Sequence, residues 1–295
     1  MEMTILAPAK INLSLRVLNK REDGYHNIET VFQTISLYDK ITITAEDKIV
    51  VCPSKIAETE NIVQKAALSL LEWTGKKKGA RINLEKNIPI GGGLGGGSSD
   101  AAAVLSALNS FWDLGVSDKD LGNLAQALGA DVPYFLMRGT VLGEGIGAKL
   151  TKLRKIPPCY FLLAISNVSI STKEVYESFK EKTEGYETSK MIGAIERQDL
   201  FGIANALHND LEKVVFGKYP QLLKIKEKFI QEGVLNSALT GSGSVVFGIV
   251  KKKKEAYRIK KSLQSLCSIV IAEPIIEKTV IEKTGQVHFY QPKNE

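Results

Sequence analysis

The sequence predicts an α+β fold in two domains. Strand-like and helical segments follow one another without the strict β-α alternation of a doubly wound sheet. The 295 residues suffice for one large domain or two of ordinary size. A charged stretch at residues 152–158, with Pro157 and Pro158 together, breaks the pattern near the middle and divides the chain into residues 1–154 and 155–295.

The elements run in this order. Residues 3–7 and 11–17 alternate apolar and polar side chains around Pro8 and read as two strands. Arg21-Glu22-Asp23-Gly24 is a turn, and residues 41–44 and 48–52 supply further β-branched strands. Ile62, Ala66, Leu70 and Trp73 have helical spacing over residues 61–73, and strand character resumes at 81–84. Residues 100–111 are rich in strong helix formers. Ser117 caps a further helix that stops at Gly129, and an apolar strand is expected at 134–137. The second half offers strands at 160–165 and 244–250 and helices near 173–182, 189–197 and 222–232.

Composition excludes several classes. Hydrophobic residues are 44% and charged residues 24%, an ordinary globular balance. No window approaches the ~18 apolar residues of a membrane-spanning helix, and the N-terminus lacks the apolar core of a signal peptide. A cytoplasmic protein without membrane association is expected. The three cysteines are far apart with no C-x-x-C pair, and the three histidines form no metal-binding spacing. The net charge of +6 suits anionic substrates such as nucleotides. Its densest clusters, Lys76-Lys77-Lys78 and Lys251 to Lys254, lack the interleaved aromatics of a single-strand surface, so no nucleic-acid partner is expected.

The chemistry concentrates at Gly91-Gly92-Gly93-Leu94-Gly95-Gly96-Gly97, followed by Ser98-Ser99-Asp100 and a helix. Glycines bring bare N–H groups close to a ligand, and a helix start adds unsatisfied donors and partial positive charge, so the segment suits phosphate. Gly91-x-Gly93-x-x-Gly96 satisfies the dinucleotide pattern, but residues 86–89 separate it from its strand. Gly92 to Ser99 has P-loop spacing with Ser98 where the lysine belongs, so the neutralising cation must come from elsewhere. Lys10, in an apolar strand-like segment, can serve phosphate or simply reach solvent; its spacing leaves both open. Asp131 follows a helix stop and can accept a hydroxyl proton or cap a turn. Tyr25 and His26 can flank a heterocyclic base or merely close a hairpin. Residues 240–244, a second glycine turn, can approach a ligand or be a tight bend.

Residues 8–13, 89–102 and 239–247 together resemble, in order and spacing, the three motifs of the GHMP kinase superfamily. Asp23-Gly24-Tyr25-His26 and Gly129-Ala130-Asp131-Val132-Pro133 are similar to the branch acting on a cytidyl diphosphate sugar alcohol. The resemblance implies a ribosomal protein S5 domain 2-like N-terminal half and an α/β-plait C-terminal half, with the active site in the cleft between them. It implies an ATP-dependent small-molecule kinase using Mg²⁺, and a monomer or weak homodimer is expected. By that resemblance Asp131 is the general base and Lys10 the residue that positions it. Pro89, Ile90, Gly91 to Gly97, Ser98 and Ser99 form the ATP phosphate loop, and Asn12, Tyr25 and His26 the substrate pocket. Tyr176, after Val168-Ser169-Ile170-Ser171-Thr172, stands where the family commonly has Phe, and Ser171 where it has Pro. Metal ligands stay open among Ser98, Ser99 and Glu144. Homoserine, mevalonate or galactose kinases are alternatives within the superfamily. A non-catalytic nucleotide-binding module and a dinucleotide-dependent oxidoreductase are alternatives outside it.

Overall fold

A computed structural model describes residues 2–52, 61–180, 185–275 and the backbone of 281–283. Its frame is one long hairpin. Strands β1 (Glu2–Lys20) and β2 (His26–Ala45) run 19 and 20 residues and pair antiparallel along nearly their whole length. The interruption expected at Pro8 is a register shift between Pro8 and Ala9, not a break; a second shift falls between Asn12 and Ser14. Such shifts bend the ribbon and let its two ends join different neighbours.

At one end β2 pairs with β4 (Ala80–Glu85), which carries β3 (Ile49–Cys52) at its edge. At the other, β2 pairs with β5 (Thr140–Gly145), which pairs with β6 (Lys149–Lys152). Helices α1 (Ile62–Thr74), α2 (Gly96–Phe111), α3 (Asp118–Leu128) and α4 (Val132–Met137) cover the sheet, and their apolar faces join Met3, Ile5, Ile41 and Ile82 in one core. Asn61 and Ser117 cap α1 and α3 through their side chains, the latter as its sequence position suggested.

A second sheet contains β7 (Tyr160–Ile165), β9 (Asn236–Leu239), β10 (Val246–Val250) and β11 (Ser268–Ala272), in the order β11-β7-β10-β9. Helices α9 (Pro220–Gln231) and α10 (Lys253–Leu263) pack on one face of it through Leu222, Ile225, Phe229, Ala256 and Ile259. The other face, with Phe161, Leu163, Phe247 and Ile249, joins Ala9, Ile11 and Leu13 of β1 in a shared core with α6 (Thr188–Glu196) and α7 (Leu200–Asn205). Short α5 (Thr172–Ser178) and α8 (Glu212–Lys218) complete this half. Of the helix expected near 173–182, residues 181 and 182 lie outside the described residues.

The halves also interlock through the first sheet. β8 (His208–Asn209) pairs parallel to β1 at Ser14 and Leu15, and β12 (Ile281–Lys283) pairs with β1 at Met3 to Ile5. The middle of β1 is therefore buried on both faces. Its odd-numbered residues enter the shared core, and period-two alternation turns Lys10 and Asn12 to the opposite side.

One expected strand is a helix. Residues 134–137 belong to α4, which Pro133 starts as a first-turn residue. Tyr134 and Phe135 are fully buried there, with the Tyr134 ring 4.6 Å from that of Phe32 on β2. Helix α2 also begins earlier than residue 100, so Gly96, Gly97, Ser98 and Ser99 form its first turn.

Candidate active site

Lys10 is 4% exposed and its ammonium donates to Asn12 Oδ1 at 2.7 Å. It lies 5.4 Å from the centre of the Phe32 ring and 3.6 Å from Asp131 Oδ2, an ion-pair distance. Burial pulls the lysine below its ordinary value, while Asp131 works in the opposite direction. Asp131 occupies the N-cap position of α4, yet its side chain makes no capping hydrogen bond. Its carboxylate, about one-third exposed, faces Lys10 and solvent.

Asn12 is the hub of this arrangement. Its amide donates to Thr30 Oγ1 at 2.7 Å, and Thr30 in turn donates to the Ser14 carbonyl at 2.7 Å. The Asn12 backbone N–H donates to Thr240 Oγ1 at 3.1 Å. The Thr240 hydroxyl has two acceptors within reach of its oxygen, Asn12 Oδ1 at 3.2 Å and the Gly93 carbonyl at 3.3 Å. Thr240 therefore joins the second glycine turn to both the lysine site and the glycine loop, a role its sequence context did not reveal.

The glycine loop is clamped against these elements by its backbone. Lys10 N–H donates to the Leu94 carbonyl at 3.0 Å, and Val245 N–H to the Gly92 carbonyl at 3.2 Å. A Cβ at Gly93, where φ is +76°, would lie 2.2 Å from the Thr240 carbonyl oxygen. At Gly95, φ +70°, a Cβ would meet the Phe135 ring at 2.8 Å and the Lys10 stem at 3.2 Å. Glycine is thus required where the loop crosses both neighbours.

Ser99 N–H closes the first helical bond to the Gly95 carbonyl at 2.9 Å, leaving the N–H groups of Gly96, Gly97 and Ser98 as the open donors of the first turn. The Ser99 hydroxyl donates to the Pro8 carbonyl at 2.6 Å and fastens the helix to β1. Pro89 leads into the loop, and Ile90 beside it is 86% exposed at the surface. Glu144 pairs with Lys149 on β5 and β6. It stands opposite Glu29, whereas Lys10 stands opposite Thr34, roughly 16 Å further along β2 at ~3.3 Å per residue.

The aromatic side of the cleft comes from three segments. Arg21 and Asp23 form an ion pair at 2.8 Å across the hairpin turn, presenting Tyr25 at 63% exposure and His26 at the start of β2. The rings of His26 and Tyr176 are 5.4 Å apart and tilted 31°. Burial, with Lys20 adding to it, pulls the imidazole below its ordinary value and favours its neutral form. Tyr176 rides on α5, whose N-cap Ser171 accepts from Glu174 N–H at 3.3 Å. Serine in the position usually taken by proline therefore still starts the helix, by capping it. Burial and then the Asp131 carboxylate push the Tyr176 phenol up, so the two share one electrostatic environment.

A second cation beside the loop escaped the sequence reading. Lys86 bridges the carboxylates of Asp39, on β2, and Asp100, on α2. Asp39 is contributed from 47 residues away in sequence, so no local pattern exposes the pairing.

Known proteins share this architecture. GHMP kinases N terminal domain and GHMP kinases C terminal profiles match residues 61–139 and 191–269. The chain is 41% identical over 276 residues to a Listeria monocytogenes protein named 4-diphosphocytidyl-2-C-methyl-D-erythritol kinase, covering 92% of this chain and 94% of that one. A Caldicellulosiruptor bescii protein of the same name is 42% identical over 292 residues, covering 96% and 100% respectively. The crystal structure of a 4-(cytidine 5'-diphospho)-2C-methyl-D-erythritol kinase superposes with a TM-score of 0.81 at 33% identity, covering 93% of this chain and 99% of that one. Homoserine kinase from Cytophaga hutchinsonii, at 18% identity and a TM-score of 0.76 over 95% of this chain and 97% of its own, shares the fold. The chain belongs to the GHMP kinases and, within them, to the 4-diphosphocytidyl-2-C-methyl-D-erythritol kinase family.

Proposed function

We propose that this chain transfers the terminal phosphoryl group of ATP to the 2-hydroxyl of 4-diphosphocytidyl-2-C-methyl-D-erythritol. The observation that carries this reading is a buried lysine, Lys10, whose stem lies beneath Gly95 of the loop and whose ammonium is 3.6 Å from a carboxylate free of capping duty. Phosphoryl transfer needs positioning and charge neutralisation more than covalent chemistry. The acceptor oxygen attacks the terminal phosphorus, the bond to the bridging oxygen breaks, and ADP departs. Asp131 takes the hydroxyl proton. Lys10, held by Asn12, orients Asp131 and faces the charge that develops on the transferring group.

The N–H groups of Gly96, Gly97 and Ser98 and the positive end of α2 hold the phosphates of ATP. Tyr25, exposed, and Tyr176, 5.4 Å from the His26 ring, supply aromatic faces for a pyrimidine base. A neutral His26 offers both a donor and an acceptor to the base edge.

Among the described residues no cluster of three His, Cys, Asp or Glu side chains could hold a metal by itself. The open first turn of α2 fits Mg²⁺ carried largely by phosphates and water, with the Ser98 hydroxyl as its protein partner. Bound there, Mg²⁺ would supply charge neutralisation on the phosphate oxygens. No helix among the described residues is long and apolar enough to cross a membrane.

An ADP-release assay with the cytidyl diphosphate alcohol, beside homoserine and mevalonate, tests the substrate assignment. Release that depends on the cytidyl compound and is absent with the other two is the expected result. Preference for either of the small alcohols would overturn it.

A further inference from the structure

A loop made almost wholly of glycine cannot fix its own conformation, because glycine loses more backbone freedom on ordering than any other residue. An aimed set of N–H groups therefore has to be imposed from outside. Thr240, Lys10 and Val245 hold the middle of the loop, at the carbonyls of Gly93, Leu94 and Gly92. A separate group holds its two ends. Asp39, fully buried on β2, accepts from Asn87 N–H at 2.6 Å and Ile88 N–H at 2.8 Å, which fixes the segment leading from β4 into the loop. Its other oxygen accepts from Lys86. The same ammonium donates to Asp100 Oδ2 at 2.6 Å, in the helix leading out.

The triad lies directly against the phosphate-facing turn. A Cβ built on Gly96 would stand 3.4 Å from Lys86 Nζ and 3.0 Å from Ile88 Cγ2. Asp100 is 3% exposed, and its Oδ1 is buried without a hydrogen-bond partner among the described residues. A buried carboxylate kept half-satisfied is costly, and a merely structural helix position would more cheaply carry an apolar side chain.

We propose that Asp39, Lys86 and Asp100 are positioning residues for the phosphates of ATP. By tying both ends of the glycine loop to β2, the triad sets the aim of the Gly96, Gly97 and Ser98 N–H groups. It does so without touching the transferred group, and it rests on the assignment of the loop as the ATP phosphate site.

The test compares the wild type with Lys86→Met, Lys86→Arg and Asp100→Asn in steady-state kinetics, with adenosine as a competitive inhibitor. Lys86→Met is expected to raise the KM for ATP at least tenfold, while the KM for the alcohol and the Ki of adenosine stay within twofold. Lys86→Arg, which keeps the charge and the fork to two carboxylates, should recover most of the loss. Asp100→Asn keeps the Lys86–Asp39 pair and should give a smaller rise confined to ATP. An unchanged KM for ATP in folded Lys86→Met, or equal losses toward ATP, adenosine and the alcohol, would overturn the proposal. Should Lys86→Met fail to fold, an unchanged KM for ATP in Asp100→Asn overturns it instead. A wild type that binds adenosine as tightly as ATP defeats the loop assignment itself, which separates that failure from a failure of the triad.

Discussion

Lys10 donates to Asn12 at 2.7 Å, and that bond rather than the longer approach to Asp131 fixes where the ammonium sits. Two residues apart on β1, they share one face of the strand, and Asn12 is itself held by Thr30 and Thr240. Lys10→Ala leaves this frame standing while removing the positive charge. A loss of about 10²–10³-fold in kcat is expected, the scale of deleting one preorganised donor to developing charge. Circular dichroism should show an unchanged fold, and undiminished turnover would remove Lys10 from the mechanism.

Tyr176 separates stacking from hydrogen bonding at the aromatic wall. Tyr176→Phe keeps the ring against His26, so the KM for the cytidyl substrate should move less than threefold. Tyr176→Ala removes the ring, and loss of base stacking is worth ~1–3 kcal/mol, or about 5- to 150-fold in affinity. Isothermal titration with the substrate alone measures both variants; equal affinities for the two would exclude stacking on this residue.

Thr240 is a joint between the halves. Thr240→Val preserves shape but leaves the Asn12 N–H without its acceptor and the Gly93 carbonyl without a donor. Abandoned buried polar groups cost about 1–3 kcal/mol each. Urea unfolding should show a loss in that range together with a raised KM for ATP, because the loop loses a central tether.

Much of this was legible in local pattern. Ser117 announces its helix by capping, residues 61–73 announce theirs by apolar spacing, and the loop announces phosphate by its glycines. Lys10 and Asp131 were visible as unusual residues, but their spacing left each with two readings, and only the tertiary approach pairs them. Residues 134–137 misled because a short apolar run has no period to distinguish strand from helix; Pro133 and packing on Phe32 decided it. Thr240, Asp39 and Lys86 were missed for a different reason. Their significance lies in partners across the fold, Thr240 standing 228 residues from Asn12, and ordinary turn and strand chemistry accounts for each of them locally.

Stability should carry a pH signature of the buried triad. Burial pushes the Asp100 carboxyl up to about 7, with Lys86 opposing and the Asp39 charge adding to the rise. The ordinary value in an unfolded chain is about 4, so between about pH 4 and 7 the folded state holds more protons than the unfolded state. This group therefore lends stability at low pH that is lost as pH rises through about 7. Urea melts at a series of pH values should show that decline in the wild type and a flatter profile in Asp100→Asn. Parallel profiles for the two would contradict it.

The proposed transfer depends on Asp131 as the proton acceptor. Its carboxylate makes no capping bond, so Asp131→Asn changes the charge facing Lys10 while leaving α4 its start. General-base catalysis is worth ~10²–10⁴-fold. The deciding measurement is single-turnover phosphoryl transfer from ATP to the cytidyl diphosphate alcohol in wild type and Asp131→Asn at saturating concentrations of both. A fall of that size with substrate binding retained is the predicted result, and a near-normal rate in the variant would contradict the assignment.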